Sequence, residues 1–300
     1  MLSEDDEENE NDENSFEKKS VWARMAVVLA GPAMNFVIAF LFSMVIIHFC
    51  GSDPAIIGAV YNKENVEKYK IENAEEYFNG VYPAEEAGIS DGDRILKIEG
   101  STVKNFRELQ IYLQIYGDGS PIDLTLEKED GTVYNTTVHP AKTPDGYKIG
   151  IMSVGYQLPK NFGELCKYSA YEIRYWVKAT FLSLKLIVTR QVSSDEVSGP
   201  VGVAKNMNDT FNEAAKSSVL DLFLNWMNYI VLLSANLGVM NLLPIPGLDG
   251  GRFIFLLIEA VTRKKVPKDK ENIVTLIGFV LVMLLMVVIL FNDIKNVFFH

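Results

Sequence analysis

The stretch that decides the fold is Ser234–Arg252, SANLGVMNLLPIPGLDGGR. It begins as an uncharged helical run and is then interrupted by Pro244 and Pro246, which lack the backbone N–H that a helix interior requires. The glycines that follow allow the backbone to approach its neighbours closely. Broken backbone at membrane depth persists only where it is buried in protein or lines a cavity. The sequence places one carboxylate, Asp249, within this break.

Asp249 is the candidate functional side chain of the break. A carboxylate at the bilayer centre costs about 2.5 to 3.5 kcal/mol on insertion scales, and a bound metal ion or a paired cation would offset that cost. The residues by themselves leave two interpretations open. Asp249 is either a metal ligand or part of an exposed Asp-Gly turn at the membrane boundary.

Three uncharged apolar runs predict membrane-spanning helices. A bilayer core about 30 Å thick requires about 20 apolar residues in a helix, and residues 25–49, 222–245 and 273–291 meet that requirement. The composition agrees, with 48% hydrophobic residues and a mean hydropathy of +0.10. The second run carries four asparagines. Because amides in lipid usually face a protein interior or a wet cavity, this helix is the functional candidate.

Basic residues near the ends of these runs predict the orientation of the chain. Lys18, Lys19 and Arg24 precede the first run, and six Lys or Arg residues lie between the second and the third. Since such residues tend to remain cytoplasmic, we expect the N-terminus inside and both residues 50–221 and the C-terminus outside. Nine of the 39 acidic residues lie between Glu4 and Glu17, which indicates a solvated acidic tail.

The segment after the first run predicts a small strand-rich domain. IIGAVY (56–61), RILKIEG (94–100) and IDLTLEK (122–128) alternate apolar side chains with others. Asn105 predicts the start of a helix that ends at Gly117.

This domain resembles a PDZ domain in the stretch YPAEEAGISDGDRILKIEGSTV, with Pro83-Ala84, Ala87-Gly88 and Gly92-Asp93 at its turns. The resemblance implies a module that docks peptide termini beside a sheet edge. The alternative is a domain that only adds steric bulk. A charged insertion at residues 62–80 departs from the usual compact spacing. Two arrangements therefore remain, one in which the insertion covers the groove and one in which the groove is accessible.

Residues 161–220 predict an amphipathic or linker region. Apolar residues form one helical stripe along residues 162–190. This stripe fits a helix in the outer membrane interface and fits equally a helix packed on the external domain. Cys50 and Cys166 both fall on the external side, where we expect two free thiols, with a disulfide as the alternative.

Several classes of function are excluded by composition. A pI of about 4.9 without a long basic stripe excludes a nucleic-acid partner. The cysteines form no C-x-x-C pair, and His48, His139 and His300 are too far apart for a local two-histidine metal motif.

The segment NLLPIPGLDGG resembles the Asn-x-x-Pro-x-Pro-x-Leu-Asp-Gly-Gly motif of the site-2 protease family, which are intramembrane zinc metalloproteases. WARMAVVLAGPAMNF (22–36), SGPVGVA (198–204) and FNDI (291–294) are similar to further segments of the bacterial RseP-like branch. That branch places an external PDZ domain between its second and third spans, and the topology predicted above has the same order.

The resemblance implies roles for particular residues. Asp249 would be the third zinc ligand, and Asn241 would hold the backbone of the substrate. Because a substrate peptide must be unwound from its helix before cleavage, the amides of Asn236 and Asn241 are also expected to replace its lost hydrogen bonds. The loop geometry would be set by four residues, and three more would pack near the site. The four loop residues are Pro244, Pro246, Gly250 and Gly251. The three residues that pack near the site are Asn35, Gly31 and Pro32.

The chain departs from the family in one respect. A His-Glu-x-x-His helix should supply two zinc ligands and the general base, and no histidine of this sequence is followed by that pattern. In the family this motif lies in a preceding span. We therefore expect an amino-terminally truncated family member that binds Zn²⁺ only together with the missing segment, and that has little or no proteolytic activity alone.

These interpretations predict an α-helical membrane protein with three transmembrane helices and an inserted α+β extracytoplasmic PDZ domain, in the bacterial cytoplasmic membrane. The expected partners are the lipid bilayer, peptide termini, and single-span substrates such as anti-sigma factors or signal-peptide remnants. The alternative function is a non-catalytic membrane scaffold that binds peptides through its PDZ domain. The expected parts are an acidic cytoplasmic tail (1–21), a span (22–50), the PDZ-like domain (51–160), the amphipathic region (161–220), a span with the LDGG loop (221–272) and a last span (273–300).

Overall fold

The computed structural model describes residue 16 and residues 19–69, 74–115, 117–189 and 199–299. Contacts divide the chain into two compact units. The helical unit comprises Met1–Ser43 and Thr180–His300, and the strand-containing unit comprises Met44–Ala179.

The helical unit contains the long apolar helices. Helices α1, α8 and residues Asp269–Lys295 of α10 are each long and apolar enough to cross a membrane, which confirms the three predicted runs. The helices that lie wholly or partly in this unit are α1 (Val21–Cys50), α6 (Phe162–Val188), α7 (Pro200–Ser217), α8 (Val219–Leu242), α9 (Asp249–Thr262) and α10 (Lys268–Phe299).

A buried carboxylate joins α7 to α10. Asp293 is only 3% exposed, and it accepts hydrogen bonds from three backbone N–H groups at the start of α7, those of Gly199, Val201 and Gly202. These groups have no partner within their own helix, so Asp293 caps α7 from another helix and favours its positive end. A Cβ atom at Gly199 would lie 2.8 Å from Ile289 Cγ2, so a larger residue there would force α10 side chains to shift.

The strand-containing unit has three short antiparallel sheets, and its strands supply most of its fully buried side chains. A four-stranded antiparallel sheet has the order β3-β2-β4-β5, and two smaller sheets pair β1 with β8 and β6 with β7. The strands are β1 (Ile57–Val60), β2 (Arg94–Ile98), β3 (Ser101–Thr102), β4 (Ile122–Glu127), β5 (Val133–Val138), β6 (Ala141–Thr143), β7 (Gly146–Lys148) and β8 (Ile151–Ser153). The short helices are α2 (Lys63–Lys68), α3 (Ala74–Tyr77), α4 (Pro83–Glu86) and α5 (Phe106–Ile115).

The three alternating segments form β1, β2 and β4, as predicted. The predicted helix is α5, and Asn105 caps it, because the Glu108 N–H donates to Asn105 Oδ1 at 2.8 Å. The insertion contributes α2 and α3, which the sequence pattern did not predict.

The Gly92-Asp93 turn is held by the side chain of Asp93. This carboxylate is 3% exposed and accepts hydrogen bonds from the Ser90 N–H and the Tyr134 hydroxyl. Burial and the bond to Asp93 raise the pKa of Tyr134 well above its usual range. The turn therefore links the start of β2 to β5.

The first half of α6 packs on the strand-containing unit. Arg107 pairs with Glu172, and both Arg174 and Lys178 donate hydrogen bonds to the Thr102 carbonyl. Burial alone would lower the pKa of Arg107, but Glu172 and Tyr175 outweigh burial and raise it. For this half of the helix, the structure favours packing on the domain over an isolated interfacial helix.

We predict that Asp293→Asn destabilises the helical unit. The asparagine side chain carries no charge. Its NH2 group, which is a donor, also replaces one of the two carboxylate oxygens that accept from the N–H groups of α7. Because hydrogen bonds to charged groups contribute about 1.5 to 3 kcal/mol each, we expect the free energy of unfolding in detergent micelles to fall by at least about 2 kcal/mol. The matched control is Asp269→Asn in the first turn of the same helix, where the side chain is exposed. Equal denaturation curves for the two variants would contradict the capping role.

Candidate functional site

The Pro244–Gly251 loop folds back tightly on itself between α8 and α9. Helix α8 ends at Leu242, and α9 begins at Asp249. A Cβ at Gly250 would lie 2.2 Å from the Leu243 carbonyl oxygen, and one at Gly251 would lie 2.4 Å from the Ile245 carbonyl oxygen. Both positions therefore exclude every side chain, and this close approach explains the paired glycines after the aspartate.

The loop also packs directly against the last long helix. A Cβ at Gly278 of α10 would lie 2.0 Å from the Pro246 carbonyl oxygen, and Gly247, at φ +97°, lies against the backbone of Phe279. Small residues let membrane helices approach other backbone closely. The sequence pattern did not single out Gly278, although a lone glycine within the apolar run 273–291 is the signal that marks such a contact.

Asp249 faces helix α1. Its Oδ2 atom lies 3.5 Å from the position that a Cβ would occupy at Gly31, and its side chain is half-buried. Asn35 follows Gly31 by four residues and therefore lies on the same face of α1. The structure thus brings Asp249 to the helix face that carries Asn35, while Pro32 of the same helix is fully buried.

Helix α8 packs against α1 next to this site. A Cβ at Gly238 would lie 2.9 Å from the ring of Phe36, so the two helices approach through the glycine. Asn241 lies in the last turn of α8 and is half-buried. Asn236 lies further from the loop, and its Oδ1 accepts a hydrogen bond from Thr180, which leaves its amide N–H groups as donors.

The described side chains do not by themselves hold a zinc ion. Within the described ranges, no group of three or more His, Cys, Asp or Glu side chains is placed to hold a metal. A catalytic zinc site requires three protein ligands. Asp249 contributes one carboxylate, so the residues present do not fit a complete zinc site.

A separate cavity lies within the strand-containing unit. It has a volume of about 660 Å³, and one face of α5 forms a wall with Phe106, Gln110 and Leu113. The opposite wall is the segment 145–151, which ends in the first residue of β8. In the described residues β8 pairs with β1 alone.

The insertion supplies a third wall of this cavity. Tyr77 and Phe78 line it, and the Tyr77 hydroxyl donates to Asp145 Oδ2 at 2.9 Å. Phe78 is 3% exposed and packs its ring on Tyr61. The insertion is therefore packed beside the cavity through a hydrogen bond and aromatic contacts, and the cavity stays open beside it.

Comparison with known proteins shows the family. The sequence profile of peptidase family M50 matches residues 2–285. The chain belongs to this family, which is the site-2 protease family.

Several bacterial relatives align along nearly the whole chain. The zinc metalloprotease RasP of Geobacillus kaustophilus is 34% identical over 94% of this chain and 61% of its own length. The regulator of sigma-W protease RasP of Bacillus subtilis is 32% identical over 94% of this chain and 61% of its own length. A relative from Clostridium acetobutylicum is 33% identical over 96% of this chain and 77% of its own length. The chain thus spans about three-fifths of the RasP proteins that it matches.

We predict that Gly278→Ala disrupts the loop. Alanine normally favours a helix over glycine by about 0.5 to 1 kcal/mol, but here its methyl group would overlap the Pro246 carbonyl, and overpacking costs about 1 to 3 kcal/mol. We expect a lower unfolding temperature in micelles. The matched control is Gly31→Ala, where the new Cβ would make an ordinary 3.5 Å contact and stability should be unchanged or slightly higher. A stabilised Gly278→Ala protein would contradict the packing described here.

Proposed function

We propose that this chain forms part of an intramembrane zinc metalloprotease that cleaves single-span membrane substrates, such as anti-sigma factors or signal-peptide remnants. The observation that carries the proposal is the position of Asp249, which the folded loop holds against Gly31 of α1. Family membership and the name of the Bacillus subtilis relative, a regulator of sigma-W, support the same function.

In this proposal the 300 residues provide only the aspartate part of the metal site. The sequence contains no His-Glu-x-x-His, so the remaining ligands and the general base would come from polypeptide outside it. The chain alone would then have little or no activity. The residues of the chain would position the Asp249 carboxylate, and the glycines beside it leave no room for other side chains.

The amides of α8 would bind the substrate. A peptide bond within lipid must be unwound before it is cleaved, because its N–H and C=O groups are otherwise bonded within a helix. Asn241, in the last turn of α8, would replace those lost hydrogen bonds. Asn236 would do so through its N–H groups, since its oxygen already accepts from Thr180.

The strand-containing unit would act as an extracytoplasmic PDZ domain. Its cavity lies between α5 and the segment that leads into β8, and an extended peptide would add to the edge of β8. The walls contributed by Tyr77 and Phe78 leave that cavity open, which supports access despite the insertion. The N-terminus would then be cytoplasmic, as the basic residues predict.

The alternative function is a membrane scaffold that binds peptides without cleaving them. The cavity in the strand-containing unit and the incomplete metal site favour it. Against it stands the half-buried Asp249 in a loop that three glycines allow to fold. A scaffold has no evident use for a carboxylate at that place, because desolvation makes it costly.

Reconstitution tests the protease function. The chain is co-expressed with a segment that carries His-Glu-x-x-His from a relative, together with a single-span reporter substrate. We expect cleavage only when both parts are present. We expect Asp249→Ala to lower the cleavage rate by more than about 100-fold. This exceeds the loss of about 10- to 100-fold that follows removal of a residue that only hydrogen-bonds to a metal ligand. The control Asp269→Ala should cleave normally. Cleavage that survives Asp249→Ala would refute the role of this carboxylate.

Zinc content separates the two functions independently of activity. We expect the purified chain alone to retain well below one zinc ion per chain after dialysis, and the reconstituted pair to retain about one. Stoichiometric zinc in the chain alone would show that its own residues complete the site.

Peptide binding tests the PDZ function. We expect the chain in micelles to bind peptides with a free C-terminal carboxylate, and Leu113→Arg, which fills the cavity, to weaken binding by at least about 10-fold, or 1.4 kcal/mol. Leu158→Arg is the matched control, because Leu158 is 63% exposed and lies outside the cavity walls. Fluorescence anisotropy measures the peptide affinity of the two variants. Equal affinities would show that the peptide binds outside this cavity.

A further inference from the structure

Exposed apolar side chains lie where the chain enters the strand-containing unit from α1 and where it leaves this unit towards α6. All belong to the unit Met44–Ala179. Each is more than half exposed, namely Phe49 (52%), Tyr156 (63%), Leu158 (63%) and Phe162 (71%). Neither proposed function gives these side chains a role. Exposed apolar patches mark sites that contact another protein or a membrane.

Backbone hydrogen bonds join the entry of the chain to its exit. The Ser52 N–H donates to the Gln157 carbonyl at 2.9 Å, and the Gln157 N–H donates to the Ser52 carbonyl at 2.8 Å. A Cβ at Gly51, which has a φ of +83°, would lie 2.7 Å from the same Gln157 carbonyl oxygen. The segment 154–158 therefore lies directly beside the end of α1.

Further hydrogen bonds fix the backbone that carries the exposed side chains. The Gly155 N–H donates to the Ser153 hydroxyl at 2.9 Å. At the start of α6, Asn161 Oδ1 accepts from the Glu164 N–H at 2.9 Å, and Glu164 Oε2 accepts from the Lys160 N–H at 2.7 Å. This reciprocal pair caps the helix. The exposed side chains are therefore presented by an ordered backbone.

The length of α1 indicates the depth of its end in a bilayer. Helix α1 has 30 residues and is apolar enough to span a membrane. With a rise of about 1.5 Å per residue it is about 45 Å long, which matches the thickness of about 40 to 45 Å of a bilayer with its headgroups. We therefore expect the end of α1, and with it the segment 154–158, at the level of the lipid headgroups.

The apolar surface of α1 continues into the exposed side chains without an intervening charge. Between Arg24 and Asp53 the sequence contains no Asp, Glu, Lys or Arg, and residues 154–159 contain none either. Tyrosine, here Tyr156, favours the boundary between lipid and water, because its ring is apolar and its hydroxyl is polar. Continuity with a membrane-spanning helix favours the bilayer over a protein as the partner of this surface.

We propose that Phe49, Tyr156, Leu158 and Phe162 form an anchor patch that inserts into the headgroup region of the bilayer around the end of α1. Leu158 and the two phenylalanine rings would contact the upper acyl chains, and the Tyr156 hydroxyl would stay among the headgroups. The strand-containing unit would then be held on the bilayer surface by its own side chains as well as by α1. This inference depends on neither proposed function, because it requires only that α1 spans the membrane.

Spin-label depth measurement on the full chain tests the anchor patch. The native cysteines are replaced (Cys50→Ser, Cys166→Ser), and a nitroxide is attached at Leu158→Cys in liposomes of phosphatidylcholine and phosphatidylglycerol. Collisions of the label with oxygen, which dissolves in lipid, are compared with its collisions with a water-soluble nickel chelate. We expect the ratio of oxygen to nickel collisions to be several-fold higher for this label than for one at Val81→Cys.

Val81 is the matched control, because it is an exposed apolar residue of the same unit near the end of β1 that is further from α1. Its N–H donates to the Phe78 carbonyl, and the Phe78 ring packs on Tyr61, the residue that follows β1. Equal collision ratios for the two labels would overturn the proposal. A Leu158 label that is protected from both reagents and shows spin–spin broadening would identify a second copy of the chain as the partner, which would also overturn it.

Introducing charge into the anchor patch tests whether its side chains hold the unit at this depth. We expect Tyr156→Glu, Phe162→Glu to lower the collision ratio of the Leu158 label several-fold, because a carboxylate favours water over lipid. Val81→Glu, Val133→Glu makes the same change at two exposed residues outside the patch and should leave the ratio unchanged. If both double variants lower the ratio equally, or if neither lowers it, the proposal is overturned. Circular dichroism of each variant excludes loss of fold as the cause.

Discussion

The close contact between the Pro244–Gly251 loop and the backbone around it is the constraint on which the helical unit depends. A broken helix leaves polar backbone groups that lipid does not satisfy. Here the break is covered by its own chain at Gly250 and Gly251 and by α10 at Gly278. Each of these contacts is closer than any side chain would allow, so the glycines are a geometric requirement.

The position of the carboxylate follows from this packing. Because Gly250 and Gly251 allow α9 to begin directly against the loop, Asp249 occupies the first turn of α9 and faces Gly31. Another glycine contact, between Gly238 of α8 and Phe36 of α1, holds α8 against α1. Helices α8 and α9 therefore both contact α1, and each of the two contacts is made at a glycine.

Charged side chains also join elements within each unit. Asp293 caps α7 from α10, and Arg24 pairs with Glu259 between α1 and α9. In the strand-containing unit, Glu108 is 2% exposed and lies near both Arg174 and Lys178 of α6. Removing one partner of a buried ion pair leaves an uncompensated buried charge, so the loss of either partner destabilises the fold.

The local pattern of the sequence determined the apolar helices, the break, three of the strands and the cap at Asn105. Each of these depends on neighbours along the chain, such as hydrophobic period, proline and turn residues. The motif also identified Asp249 as the side chain of interest, and its resemblance to a family supplied the expected role. None of this information says what the carboxylate faces.

Only the tertiary structure decided which distant segments meet. That Asp249 lies against Gly31, that Gly278 receives the loop, and that the FNDI segment caps the helix of the SGPVGVA segment are contacts between residues far apart in sequence. Their physical basis is close packing and the pairing of buried polar groups. Both depend on three-dimensional position, which a one-dimensional pattern does not contain.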